Sequence, residues 1–251
     1  MHAYKKHALT GVALLFVFSI VSFPAKTAFS WFAPAGVEAF GLEGTVWSGN
    51  ARIITANGLQ LRNTEWDLAP AWLFTGKLAA TLKTRWNGGF MEGFAYAGLG
   101  QTLGARDSII SADIALLTKI LGLPSASGQF TAELNALDIR SGWPERLVGA
   151  GVLRQLGSPL LGQNDMVIGD LGIVFDTTTE TEANTITGTL EDRGGQIELR
   201  GRLLLTPPGN YELKARIKAR DNALPALRRN LGYLGSPEPD GTRLFQLAGS
   251  I

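Results

Sequence analysis

Histidine occurs only at His2 and His7, and cysteine does not occur at all. Everything beyond residue 7 therefore lacks the imidazole that a Ser-His-Asp arrangement needs. It also lacks the thiols and imidazoles that zinc prefers. Carboxylates lie close in sequence at Glu180/Glu182, Glu191/Asp192 and Glu238/Asp240. All three pairs fall in polar or turn-like stretches, so we read solvated loop charge and not a general acid with its base. Gly149-Ala150-Gly151 followed by Gly157 misses the G-x-G-x-x-G spacing, and no lysine follows as in a phosphate-binding loop. No EF-hand loop is present. The expectation is a protein that is not an enzyme, with no catalytic residue, no cofactor and no metal.

Without a catalytic set, charge and apolar patterning carry the reading. The chain has 251 residues and a net charge of +1. Lys5, Lys6 and Lys26 are the only charged residues before position 31, so the rest is slightly acidic. No basic block stands out, so a nucleic-acid partner is not expected.

Residues 8–25 read ALTGVALLFVFSIVSFPA, with no charge. As a helix this run covers roughly 27 Å, close to the ~30 Å hydrocarbon thickness of a bilayer. Lys5 and Lys6 precede it, and positive charge stays on the cytoplasmic side. The expectation is a cytoplasmic N-terminus at 1–7, a transmembrane helix at 8–25 and an exported domain at 31–251. Trp31 and Phe32 follow where an interfacial aromatic belt would lie. A cleaved signal peptide has similar parts. However, Ala25-Lys26-Thr27-Ala28 is spaced wrongly for an A-x-A site and puts Lys26 inside it. A buried core helix seldom sits behind a basic N-terminus. We read an uncleaved anchor, with cleavage as the alternative. No second apolar stretch is long enough to span, so the chain crosses once.

The exported part reads as strands. Tyr211, Leu213, Ala215, Ile217 and Ala219 alternate with Glu212, Lys214, Arg216, Lys218 and Arg220, a period of two that puts the apolar set on one face. Gln196–Leu205 has the same period, and Pro207-Pro208-Gly209-Asn210 supplies the turn between them. Thr185–Glu191 is a further strand, followed by an expected turn at Asp192-Arg193-Gly194-Gly195. Earlier strands are expected over Leu42–Ile54, Leu59–Leu68, Lys77–Trp86 and Gly128–Asp138. A single helical turn is expected over Ala69–Phe74, short helices at Ile114–Leu121 and Asp221–Leu234, and a last strand from Arg243 to Ile251. Strands recur with 31 glycines scattered through the chain. The fold class is mainly β: an antiparallel sandwich, or a long curved sheet open along one side.

Trp47, Trp66, Trp72, Trp86 and Trp143 lie near these strands and turns. A β core is their ordinary place. A groove for an acyl chain or a partner strand is the alternative.

Leu42-Glu43-Gly44-Thr45-Val46-Trp47-Ser48-Gly49-Asn50-Ala51 resembles the L-x-G-T-[LV]-W-x-G-x-A signature of the type II secretion system protein N family. Trp66-Asp67-Leu68-Ala69-Pro70, with Leu73 and Gly76, is similar to that family's W-x-L-x-P-x-x-L-x-x-G segment. The resemblance continues at Gly188-Thr189-Leu190, Gly194-Gly195, Leu199-x-Gly201 and Gly209 with Tyr211. It closes at Leu231-Gly232, Asp240-Gly241-x-Arg243 and Gly249. It covers about 40–251, with a poor match over about 90–125.

The resemblance implies a single-pass protein of the Gram-negative cell inner membrane with a periplasmic domain. It implies an accessory role in moving folded proteins from periplasm to exterior, with other type II secretion components as partners. The motif residues Gly44, Trp47, Gly49, Trp66, Pro70, Gly188, Gly194, Gly195, Gly201 and Gly241 read as a folding signature of turns, close approaches and core aromatics. The β-rich architecture also resembles lipid-handling sheets of the AsmA-like type. A lipid-binding or lipid-transfer module with an open apolar groove is therefore the alternative function, and lipid a further candidate partner.

Overall fold

The apolar run folds as a helix, but a shorter one than its sequence suggests. In the computed structural model, which describes residues 2–56, 58–116, 126–157, 167–176 and 185–250, helix α1 covers His2–Val21. Pro24 then intervenes. Proline has no N–H to donate and pushes the residue before it out of helical geometry. The chain re-enters a helix, α2, at Ala25–Phe32. The expected single helix over 8–25 is thus corrected: it breaks before Pro24. Its apolar helical part, from Ala8 to Val21, is roughly 21 Å long. No helix among the described residues is long and apolar enough to cross a membrane.

The chain folds as two compact units, Met1–Asn87 and Gly88–Ile251. In the first, α1 and α2 are followed by β1 (Val37–Phe40), β2 (Glu43–Gly44), β3 (Ser48–Ala56), β4 (Leu59–Leu68) and β5 (Lys77–Trp86). Their order is β1-β3-β4-β5, with β2 also pairing β3, and the pairings are antiparallel. A 3-10 turn at Pro70–Thr75 links β4 to β5 and is capped by Gly76 in the left-handed region. This matches the helical turn expected over Ala69–Phe74.

The second unit is a meander. It runs β6 (Gly89–Gly98), β7 (Thr102–Asp113), β8 (Ser127–Arg140), β9 (Trp143–Gly157), β10 (Val167–Asp176), β11 (Ile186–Gly195), β12 (Ile197–Thr206) and β13 (Asn210–Ala219). Helix α3 (Pro225–Leu231) and β14 (Arg243–Ser250) complete it. Each strand pairs antiparallel with the next, and β14 does not return to β6. The sheet of this unit is therefore open, and its described strands form one sheet and not the two of a sandwich. The expected strands at 185–191, 196–205, 211–220 and 243–251 lie within a few residues of β11, β12, β13 and β14. The expected helix at Ile114–Leu121 starts as a turn at Ile114–Leu116, and the remainder lies outside the described residues.

Candidate functional site

The first family-like motif folds into a hairpin that grips the end of α1. Gly44 (φ 87°) and Gly49 sit opposite each other where β2 meets β3. A Cβ on Gly44 would lie 2.6 Å from the Ser48 carbonyl oxygen, and one on Gly49 2.6 Å from both the Glu43 oxygen and the Trp66 ring. Side chains have no room there. The turn between them, Thr45-Val46-Trp47, reaches the helices. Thr45 bridges Pro24, and the Val46 N–H donates to the Phe23 carbonyl at 3.0 Å. Trp47 Nε1 donates to the Ile20 carbonyl at 2.8 Å. Carbonyls in the last turn of a helix lack helical partners, so this indole caps α1 from 27 residues away. Trp66 Nε1 donates to the Val46 carbonyl at 3.0 Å and holds the turn from behind.

The two tryptophans are half-buried, as are Trp72, Trp86 and Trp143. The expectation that Trp47 and Trp66 fill a core is corrected. Each leaves its ring partly exposed and spends its N–H on a backbone carbonyl, the usual outcome for a large ring with one polar handle. Pro70 opens the 3-10 turn and is exposed.

Apolar side chains in this unit point outward. Leu14, Leu15, Phe16, Val17 and Phe18 are consecutive, and each is more than half exposed. Five consecutive residues cover every face of a helix, so α1 is unpacked all round over Leu14–Phe18 among the described residues. Trp31 and Phe32 are 67% and 75% exposed, and Phe74 is 94% exposed. The fully buried apolar residues of the unit are Ala25, Ala51, Ala79 and Ala80. Two apolar grooves flank the hairpin turn. One, of about 360 Å³, is lined by Ile20, Phe23, Trp31, Phe32, Val46 and Trp47. The other, of about 280 Å³, includes Phe29, Leu42, Ile54 and Trp66.

The remaining motif glycines lie in the second unit. A Cβ on Gly188 would meet the Phe175 ring at 2.6 Å, and one on Gly201 would meet the Ala215 Cβ at 2.9 Å. Gly195 (φ 110°) lets β11 approach β10, where its Cβ would lie 2.5 Å from the Gly169 Cα. Gly194 has open space, and Gly241 only ordinary contact with the Lys218 side chain. The expected turn at 192–195 is corrected in part. Pairing of β11 with β12 stops at Glu191, but pairing with β10 continues to Gly195.

The carboxylate pairs do not face each other across a cleft. Asp192 accepts the Leu199 N–H at 3.0 Å and pairs with the Arg220 guanidinium. Burial opposes its ionisation. The Leu199 N–H and Arg220 outweigh burial and hold the carboxyl below the usual carboxylate range. Glu238 and Asp240 both accept from Thr242 within one turn. Glu180 and Glu182 lie outside the described residues. Gly149-Ala150-Gly151 is mid-strand in β9, so it forms no phosphate loop. No group of three or more His, Asp or Glu among the described residues could hold a metal ion. A further ion pair escaped the sequence reading. Asp138 pairs with Arg106 at 2.6 Å and accepts from the Tyr96 hydroxyl. Burial again opposes ionisation, and the Tyr96 and Arg106 hydrogen bonds hold the carboxyl below its usual range. No sequence signal marks this trio, because its members are 10 and 32 residues apart on different strands.

One face of the second sheet is apolar along its whole width. In register, Met91, Ile110, Ala132, Gly151, Ile173, Leu190, Gly201, Ala215 and Phe245 form one cross-strand row from β6 to β14. Helix α3 covers one end of this face, burying Leu227 and Leu231 against Ile168, Leu171, Ile197, Leu199 and Ile217. Away from α3, Ile110, Phe130, Leu203 and Leu213 remain half-buried.

Comparison with known proteins agrees with these motifs. The family model for type II secretion system (T2SS), protein N, matches residues 35–245. A Vibrio cholerae serotype O1 protein, "Type II secretion system protein N", is 28% identical over 242 residues, covering 92% of each chain. No solved structure matches. With the hairpin, the 3-10 turn and the meander of the second unit as far as the start of β14 inside the matched span, the chain belongs to the type II secretion system protein N family.

Proposed function

We propose that this protein is an inner-membrane-anchored accessory component of a type II secretion apparatus that works by contact with other components and not by catalysis. The observation that carries the anchoring is the outward-facing apolar surface of α1, with more than half of each side chain from Leu14 to Phe18 exposed. Water-facing surfaces of this size mark an interaction site or a lipid contact. The apolar part of α1 is short for a bilayer. The bilayer can thin locally to accommodate the mismatch. In this reading α1 crosses once, residues 1–7 are cytoplasmic and both units beyond it are periplasmic. The motif glycines and tryptophans act as structural residues that fix the hairpin on α1. Co-purification of the detergent-solubilised protein with other secretion components tests the reading. So does secretion in a clean deletion strain: undiminished secretion without any such association would contradict it.

A second reading, binding of a lipid or acyl chain, rests on the uncovered apolar face of the second sheet. Phospholipid retained by the protein in native mass spectrometry, and lost when Leu203 and Leu213 are replaced by serine, would favour it. Protein free of lipid would remove it.

A further inference from the structure

The end of the first sheet that receives α1 carries a second apolar projection. Antiparallel pairing puts the start of β3 (Ser48), the end of β4 (Asp67, Leu68) and the start of β5 at one end of the sheet. Ser48 pairs Asp67, Leu68 pairs Ala80, and the Leu68 N–H donates to the Trp47 carbonyl at 2.6 Å. Trp47 itself caps α1 through Ile20. The 3-10 turn Pro70–Thr75 therefore leaves the sheet two residues beyond a direct hydrogen bond to the helix-capping residue.

The turn is held firmly. Ala69 N–H donates to the Ala79 carbonyl at 2.8 Å, Gly76 N–H to Leu73 at 3.0 Å, and Thr75 Oγ1 to Trp72 at 2.7 Å. Lys77 Nζ lies 5.7 Å from the Trp72 ring centre. This scaffold presents Leu73 at 46% and Phe74 at 94% exposure. An ordered turn that exposes a phenylalanine almost completely forgoes the stabilisation its burial would yield. A flanking indole and lysine are the side chains that favour the headgroup layer.

We infer that the Pro70–Gly76 turn inserts Leu73 and Phe74 into the periplasmic leaflet of the phospholipid bilayer that holds α1. The inference rests on the anchoring reading above. Two points would then fix the first unit on the membrane, the helix and the turn, so that it could not swivel about α1 alone.

The chain has no cysteine, so one introduced cysteine carries an environment-sensitive fluorophore without background. Phe18→Cys, Phe74→Cys and Gln60→Cys report on α1, the turn and the opposite end of the sheet. The full chain is reconstituted in vesicles of phosphatidylethanolamine with a minority of phosphatidylglycerol, with and without spin-labelled lipid. We expect several-fold quenching at positions 18 and 74 and none at 60. Quenching at 18 but not 74 overturns the inserted turn and leaves the anchor standing. Quenching at neither position overturns the anchor, and the inserted turn with it. Equal quenching at 60 and 74 also overturns the inference, because the whole sheet would then lie on the surface. Phe74 is almost fully exposed, so its replacement leaves the fold intact and the probe readable.

Discussion

The two units use their apolar residues in opposite ways. In Gly88–Ile251 large apolar side chains are buried: Ile168, Ile186, Ile197 and Leu227 are at most 2% exposed, and Leu227 of α3 packs in one cluster with Ile168 and Ile197. In Met1–Asn87 the buried apolar side chains among the described residues are all alanines, while Leu14, Phe16, Phe18, Trp31, Phe32 and Phe74 face out and the other tryptophans are half-buried. Burying a large apolar side chain is worth roughly 1.5–3 kcal/mol. The second unit collects that stabilisation from its own packing. The first largely forgoes it, and relies on strand pairing, backbone hydrogen bonds and the two indole hydrogen bonds of Trp47 and Trp66. Such a surface makes physical sense where lipid supplies the missing apolar neighbours.

The contrast can be broken most forcefully at Leu227. Leu227→Ala should destabilise the second unit by about 3 kcal/mol, because the cavity sits under a helix that cannot fully collapse onto the sheet. Hydrogen exchange on the full chain in detergent reads each unit separately. Faster exchange in β10, β12 and β13, with β3–β5 unchanged, is the expected result. Next comes the hairpin. Gly49→Ala should cost the first unit about 2 kcal/mol, since the added methyl meets a carbonyl oxygen and the Trp66 ring. Trp66→Phe keeps the ring contacts but drops the hydrogen bond to Val46, which should cost about 1 kcal/mol. The smallest effect belongs to the exposed turn. Phe74→Ser should change stability in detergent by less than about 0.5 kcal/mol, although the residue is large and apolar.

Acid should act on the second unit through Asp138 and Asp192, each paired with an arginine. Asp138 and Asp192 have folded pKa values below their unfolded value of about 3.9. Each therefore contributes stability that is fully present above that pH and is lost as pH falls through the folded value. Unfolding monitored by circular dichroism should show β structure weakening only below about pH 4. Asp192→Asn should flatten that dependence.

How much of this was legible in the sequence follows from where the physics is local. The strand at 211–220 was plain because a half-solvated strand must alternate, and Lys214, Arg216 and Lys218 could not be anything but outward. β6, β7, β9 and β10 were not resolved. Their second faces carry Ala150, Val152 and Gly172 in place of charges, so the alternation is blurred. The break in the apolar run turned on Pro24, visible in the sequence but outweighed there by the absence of charge across 8–25. The motif residues were found as letters, but their geometry was not. That Trp47 caps a helix depends on a contact 27 residues away, which no spacing rule carries. Likewise, Trp66 reads as a core residue until its neighbours are known.

The claim that the first unit turns its apolar side chains toward lipid is tested most directly by membrane extraction of the full chain from a Gram-negative host. Wild-type protein should stay with the membranes through an alkaline carbonate wash. A variant with Leu14, Leu15, Phe16, Val17 and Phe18 replaced by serine should be released, with hydrogen-exchange protection in β8–β13 unchanged. Release of the wild-type protein by the wash, or retention of the serine variant, would contradict the account.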